Sequence, residues 1–325
     1  MGTALITGIT GQDGGYLAEQ LARSGDAVHG LVRPGEERPD SLFALGDAVV
    51  LHPVNLSDDA AVARALRNSA ATEVYNLAGV SSVALSWEQP GLTAEVNGTF
   101  VARLLQLVWQ EQERRGEQIA VVQASSAEIF ADAAVAPQDE STPMSPRTPY
   151  GASKAFAHHL VQVFRARGMQ ASNAILYNHE SPRRPPSFVT RKITRGAVAV
   201  ARGEQTTLRL GNLDARRDWG FAGDVVRAMP LALRAGTPDD YVIATGEVHT
   251  VRDWCELAFA RVGLDYREHV VSDPAFWRPE GGVPLAGDAS RARDRLDWRP
   301  QVDFAALVEM LVTADQAAPL QQVTG

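Results

Sequence analysis

One cysteine, Cys255, stands alone among 325 residues. A lone thiol excludes a disulfide framework and any zinc or iron–sulfur centre built on several cysteines. The seven histidines form no HExxH or comparable ligand spacing, so no metal site is expected. Basic charge is also short. With 31 Lys and Arg against 39 Asp and Glu the net charge is −8, so no global positive field draws in DNA, RNA or an anionic membrane. A nucleotide ligand would need a local cluster of Arg and Lys for its phosphates. No stretch approaches the roughly 18 uncharged apolar residues of a membrane-spanning helix. The opening run MGTALITGITGQDGG lacks the charged and apolar regions of a secretory leader. These absences predict a cytoplasmic protein that binds no nucleic acid and no membrane. Repeats and low-complexity tracts are missing too.

What is present is a regular alternation. Short apolar runs at Thr3–Thr7, Ala27–Val32, Ala48–His52, Val74–Leu77, Ile119–Gln123 and Ala174–Tyr177 read as strands. Helical patterns fall between them at Tyr16–Ser24, Ser57–Arg67, 92–108 and Tyr150–Arg167. Leu92, Val96, Phe100, Leu104 and Val108 recur at four-residue steps, predicting one buried helix face. Strand–helix alternation predicts a Rossmann-type, doubly wound parallel sheet. After Tyr177 the Pro- and Arg-rich run NHESPRRPPS breaks the pattern. A dinucleotide-binding domain is therefore expected over 1–177 plus about 214–235. A smaller, mixed substrate-binding domain is expected over 178–213 and 236–325.

Two local constellations carry chemistry. Gly8, Gly11 and Gly14 form GxxGxxG directly after the first strand and before a helix, with Thr10, Gln12 and Asp13 between them. Such glycines let backbone approach a pyrophosphate, whose charge suits a helix N-terminus. The bland reading is a plain Gly-rich turn. Strand two ends in Arg33, where an acidic residue would hold the ribose hydroxyls of NAD; an arginine suits the 2′-phosphate of NADP. The alternative is a solvated loop charge. Gly79 ends the fourth strand, close to the expected cofactor path. The second constellation is Tyr150 and Lys154, four apart on one helix face, where the ammonium and the cofactor's positive ring together would favour the phenolate and make Tyr150 a base. Alone, such a pair is more often a surface contact. Here Ser126 ends the fifth strand just upstream and can hydrogen-bond the same substrate oxygen.

Together these residues resemble the short-chain dehydrogenase/reductase superfamily, in its extended branch of nucleotide-sugar epimerases and dehydratases. The closer resemblance is to the GDP-mannose 4,6-dehydratase family. It is carried by ALITGITGQDGGYLAEQL, EVYNLAG, TAEVNGT, QASSAEIF, TPYGASK, ILYNHESPRR, FVTRKITR, LGNLDARRDWG, ATGEVHTVRDW and RPEGGVPLAGDASRARDRLDW, which span residues 4 to about 298. The resemblance implies a hydro-lyase with tightly bound NADP, recycled in each turnover. C4 of a GDP-sugar is oxidised, water leaves across C5 and C6, and C6 is reduced. Ser126, Tyr150 and Lys154 would serve the redox step. Glu128 would take the C5 proton and protonate the departing hydroxyl; its bland reading is a solvated carboxylate.

By the same resemblance Asn55, Leu56, Leu77, Ala78, Ser81, His179 and Arg184 join the cofactor set. Ser86, Asn178, Val189, Lys192, Arg217, Arg278 and Glu280 would meet the GDP-sugar. Arg217 with Asp218 could equally form a structural ion pair. His158 and His159 read as packing or surface residues.

The chain also departs from the family. Ser126 stands for a threonine, Asn55 for an acidic residue and Leu92 for a tyrosine, and the loop after Arg33 is shorter. A homodimer is expected at least as much as a tetramer, and a GDP-heptose is the second sugar to consider. The rival readings are a GDP-4-keto-6-deoxy-sugar reductase or epimerase, and a catalytically silent dinucleotide sensor.

Overall fold

The computed structural model describes residues 2–276 and 283–318. Its strands, in chain order, are β1 (Thr3–Thr7), β2 (Ala27–Val32), β3 (Val49–Pro53), β4 (Glu73–Asn76), β5 (Ala120–Ser126), β6 (Ala171–Leu176), β7 (Asn178–Glu180), β8 (Leu208–Leu210), β9 (Arg216–Phe221), β10 (Asp240–Ile243), β11 (Val248–Thr250) and β12 (Val270–Ser272).

Seven of them form one parallel sheet in the order β10-β6-β5-β4-β1-β2-β3. A parallel strand covered by helices on both faces has no polar side, and Ala4, Leu5 and Ile6 of β1 are accordingly all buried. On one face the helices Gln12–Arg23 and Ala222–Arg234 contribute Leu17, Leu21, Val225 and Met229 to the core. On the other, Asp59–Ser69, Phe100–Arg115 and Pro149–Ala166 contribute Val62, Leu104 and Val161. The Rossmann-type doubly wound sheet is as expected. Strand order reverses between β4 and β1, so a crevice opens at the carboxyl ends of these strands, where such sheets bind ligands.

A smaller unit covers that crevice. Its core joins the helices Val189–Ala201, Val251–Arg261 and Phe304–Ala317 through Ile193, Trp254, Phe259, Leu307 and Leu311. A mixed three-stranded sheet, β11-β9-β7, and the β12-β8 pair edge it.

Two expectations are corrected. Asp240–Ile243 falls in the expected substrate-binding segment 236–325, yet β10 pairs in parallel with β6 and completes the large sheet. The single buried face over 92–108 is also broken. Phe100, Leu104 and Val108 are buried, but Leu92 is 46% exposed. Each four-residue step overshoots a turn by about 40°, so the stripe winds away from the core. A π-helical turn at Glu95–Thr99, between Pro90–Ala94 and Phe100–Arg115, adds to the shift.

The Pro149–Ala166 helix, which carries Tyr150 and Lys154, is anchored by a buried polar network. His158 lies between the Ser125 hydroxyl (3.0 Å) and the Asp240 carboxylate (3.2 Å). Asp240 also accepts from Gln162 (2.7 Å), Arg165 (2.7 Å) and Asn173 (2.8 Å). Burial pushes the Asp240 carboxyl up, but the hydrogen bonds from His158, Gln162 and Arg165 outweigh it and hold the group below the usual carboxylate range. A depressed native pKa stabilises the fold above the unfolded value of about 4, and that contribution drains away as pH falls below it. Asp240→Asn should therefore lower stability by about 3 kcal/mol at neutral pH, the cost of breaking a buried pair. Denaturant unfolding should show a smaller loss below about pH 4, where the carboxylate of the unfolded chain starts to take up a proton that the native one still refuses. A mutational cost that grows on acidification would contradict this account.

Candidate active site

The crevice between the sheet and the smaller unit holds a cavity of about 660 Å³. β1 leads to it through Gly8, Gly11 and Gly14. A Cβ on Gly8 would lie 2.9 Å from the Ala78 amide nitrogen, and one on Gly14 would lie 2.3 Å from the Gly8 carbonyl. The turn is thus packed against the β4 loop and its own helix without room for side chains. No side chain caps the helix Gln12–Arg23 at Gly11, which leaves its first N–H groups for an incoming anion. A cradle that only glycine fits, opening on an uncapped helix end, suits a dinucleotide pyrophosphate.

β5 ends at Ser126, and the short helical turn Ala127–Phe130 that follows carries Glu128. The Ser126 hydroxyl accepts from the Glu128 amide (3.2 Å) and hydrogen-bonds the Tyr150 phenol. A Cβ on Gly151 would stand 2.6 Å from the Glu128 carbonyl, so glycine lets the Tyr150 helix close on this turn. Lys154 donates to the Ala124 carbonyl (2.8 Å) with its ammonium 5.8 Å from the Tyr150 ring centre. Burial pulls Lys154 down to about 8, opposed by the nearby Asp13 carboxylate.

The expected lowering of Tyr150 by Lys154 is not found. Burial pushes the phenol up, Glu128 adds to the rise, and the Ser126 hydrogen bond and Arg184 offset only part of it. Within the protein by itself, burial therefore holds the Tyr150 phenol above its ordinary value.

Opposite stands a pair that the sequence separates by 166 positions. His179 presents Nδ1 to the Tyr177 carbonyl (2.7 Å) and Nε2 to the Asp13 carboxylate (2.9 Å). Both partners are acceptors, an arrangement that favours a proton on each ring nitrogen. Burial opposes the charged ring, yet Asp13 outweighs it and raises His179; in return His179 overcomes the burial of Asp13 and holds its carboxyl at about 2. Arg184 packs over Phe188, 3.7 Å from the ring centre, and pairs with Glu180 (3.3 Å).

Asp13, Leu77, Gly79, Ser81, Ser126, Glu128, Tyr150, Lys154, Asn178, His179, Arg184, Val189, Lys192 and Arg217 all line this one cavity. Asp218 turns to the other side of β9, where Thr245, Gly246 and Gly287 donate to it. Arg217 lines the cavity, and its Nη1 donates to the Arg216 carbonyl (2.7 Å).

Other candidates lie elsewhere. Ser86 is buried and spends its hydroxyl on the Val83 carbonyl (2.7 Å). Asn55 is exposed and closes a turn onto Ser57 (2.9 Å), and Leu56 packs into the core. Arg33 is 82% exposed and pairs with Glu36 (3.4 Å). Arg278 and Glu280 lie outside the described residues.

Sequence reasoning missed Asn97, whose amide side chain clamps Val80 through both N–H (2.8 Å) and carbonyl (3.0 Å). It missed the buried relay in which Thr7 donates to Asn76 (2.6 Å) and Asn76 to Gln123 (2.6 Å). Gln123 ends on the Ala124 carbonyl (2.8 Å) that also holds Lys154. A polar residue inside each of three apolar strands was the available signal.

The profile of the family described as GDP-mannose 4,6 dehydratase matches residues 5–311. The chain belongs to the GDP-mannose 4,6-dehydratase family. GDP-mannose 4,6 dehydratase 1 of Arabidopsis thaliana is 46% identical, over 96% of this chain and 89% of its own. The human GDP-mannose 4,6 dehydratase is 40% identical, over 96% and 91%. Among solved structures, the UDP-glucose 4-epimerase of Thermus thermophilus in complex with NAD superposes with a TM-score of 0.83 at 27% identity, covering 97% of this chain and 99% of that one. A superposition of that extent takes in the sheet and the covering unit alike.

Proposed function

We propose that this protein is a GDP-sugar 4,6-dehydratase that uses a tightly bound NAD(P) dinucleotide, with GDP-mannose as its substrate. The observation that carries the reading is the Glu128 carboxylate set beside Ser126, Tyr150 and Lys154 in one cavity. Redox at C4 alone has no use for a second acid–base group; removing a C5 proton and expelling the 6-hydroxyl does.

The glycine turn and uncapped helix would hold the pyrophosphate, with His179 and Arg184 beside the nicotinamide end. When bound, the dinucleotide supplies reversible two-electron chemistry and a positive ring that brings the Tyr150 phenol toward ionisation. Tyr150 takes the proton of the C4 hydroxyl while Ser126 hydrogen-bonds the same oxygen. Lys154 keeps positive charge behind the phenolate. The C4 ketone acidifies the C5 proton, which Glu128 removes. Glu128, now a carboxylic acid, gives that proton to the leaving hydroxyl. The net change is loss of one water, with no cofactor consumed. Lys192 and Arg217 supply the local positive charge that the GDP phosphates require on a chain of net −8.

Incubating the purified protein with GDP-mannose, without added cofactor, should yield a product lighter by one water with 4-keto absorbance in alkali. Water loss only from a GDP-heptose would move the sugar and keep the mechanism. Stoichiometric consumption of added NADPH without water loss would favour the reductase reading.

The assembly is a homodimer in this reading. Phe156 and Val163, seven apart on the Pro149–Ala166 helix, are 51% and 63% exposed, and Leu92 extends the apolar stripe across the neighbouring helix. A second copy of the same stripe would cover it. Phe156→Asp should convert the sedimenting dimer to a monomer; an unchanged sedimentation coefficient would remove this surface as the interface. No helix among the described residues is long and apolar enough to cross a membrane, and a cytoplasmic location fits a soluble nucleotide-sugar substrate.

A further inference from the structure

Just past β2 the chain turns through Arg33, Pro34, Gly35 and Glu36. Proline at the second position, Gly35 at φ +79° and a Glu36 N–H to Arg33 carbonyl bond of 3.0 Å make this a type II turn, built rather than loose. The turn folds the Glu36 carboxylate back toward the glycine-rich cradle. Its Oε1 accepts from the Thr10 hydroxyl (2.8 Å), and its Oε2 from the Arg33 amide (3.0 Å) and guanidinium (3.4 Å). Glu36 is 22% exposed, whereas Arg33 is 82% exposed.

In a doubly wound sheet the end of β2 faces the adenosine ribose. A carboxylate there receives the 2′- and 3′-hydroxyls of NAD, and an arginine receives the 2′-phosphate of NADP. This chain has both. The arginine alone suggests NADP; the structure puts a fixed anion next to it. We propose that Glu36 sets the choice of dinucleotide: its carboxylate stands at the adenosine 2′ position, accepts from a ribose diol and offsets Arg33, so that the site takes NAD as well as NADP. The inference rests on the dinucleotide reading above.

The hydrogen bonds explain why both are admitted. Glu36 is held by backbone and by Thr10, so it stays when Arg33 moves. The Arg33 contact is long and exposed, a weak tie. Its guanidinium is therefore able to turn to a 2′-phosphate, but that phosphate, with roughly two negative charges, must sit against the Glu36 carboxylate. The usual advantage of an arginine site for NADP is thereby reduced.

The test measures binding, not turnover. Purified protein is denatured, the released dinucleotide is identified by mass, and NAD⁺ and NADP⁺ affinities are then compared by calorimetry on the exchanged protein. The two wild-type dissociation constants should agree within about tenfold. Glu36→Gln should shift their ratio toward NADP⁺ by about tenfold or more, and Arg33→Ala should shift it toward NAD⁺. A wild type that favours NADP⁺ by about a hundredfold, or a Glu36→Gln ratio equal to the wild-type one, would overturn the proposal. Should neither protein nor variants bind either dinucleotide, the cofactor reading itself falls and takes this one with it.

Discussion

Glu128→Gln should stop water loss from GDP-mannose while the dinucleotide stays bound. Glutamine keeps the size and a hydrogen-bonding end, so the turn in which the Ser126 hydroxyl accepts from the residue 128 amide is preserved. What disappears is the ability to take and return a proton. Each general acid–base role contributes about 10²–10⁴-fold, and this carboxylate serves twice, at C5 and at the leaving hydroxyl. The expected fall in kcat is about 10⁴-fold, equivalent to about 5 kcal/mol. Exchange of the C5 proton with solvent deuterium should stop in parallel, a readout that a merely structural role for residue 128 would not predict. A variant that dehydrates within about tenfold of wild type would remove Glu128 from the chemistry.

Tyr150→Phe should be the next most damaging change, at about 10³-fold in kcat. The ring and its burial remain, and only the proton acceptor for the C4 hydroxyl is lost. The wild-type pH profile tests the same geometry. Burial raises Tyr150 and lowers Lys154 to about 8. As pH rises toward 8 more of the phenol is available as base, so kcat/KM increases. Above about 8 Lys154 loses the charge that stabilises the phenolate while Tyr150, held higher, goes on ionising, so kcat/KM levels off. A rate that climbs unbroken past that point would show that Lys154 does not act through its charge.

Much of this architecture follows from local sequence. Parallel strands buried on both faces must be continuous apolar runs, which is why β1 and β2 begin and end where the pattern places them. The Tyr150 and Lys154 pair is likewise local, since residues four apart on a helix share a face. The glycine turn declares itself because its steric demand, a Cβ 2.3 Å from a carbonyl at Gly14, is met only by glycine.

Tertiary structure alone decided the rest. The Asp13 carboxylate is paired with the His179 ring from 166 residues away, and nothing in either segment states that pairing. β10 is too short a run to be assigned to the large sheet before β6 offers it an edge. Ser86 and Arg33 occupy positions that look available for ligands, but a neighbour satisfies one and a carboxylate balances the other. Sequence spacing encodes periodicity and steric need, which are properties of a short segment. Protonation, charge balance and selectivity depend on burial and on which distant groups face each other, and those arise only when the chain closes over the crevice.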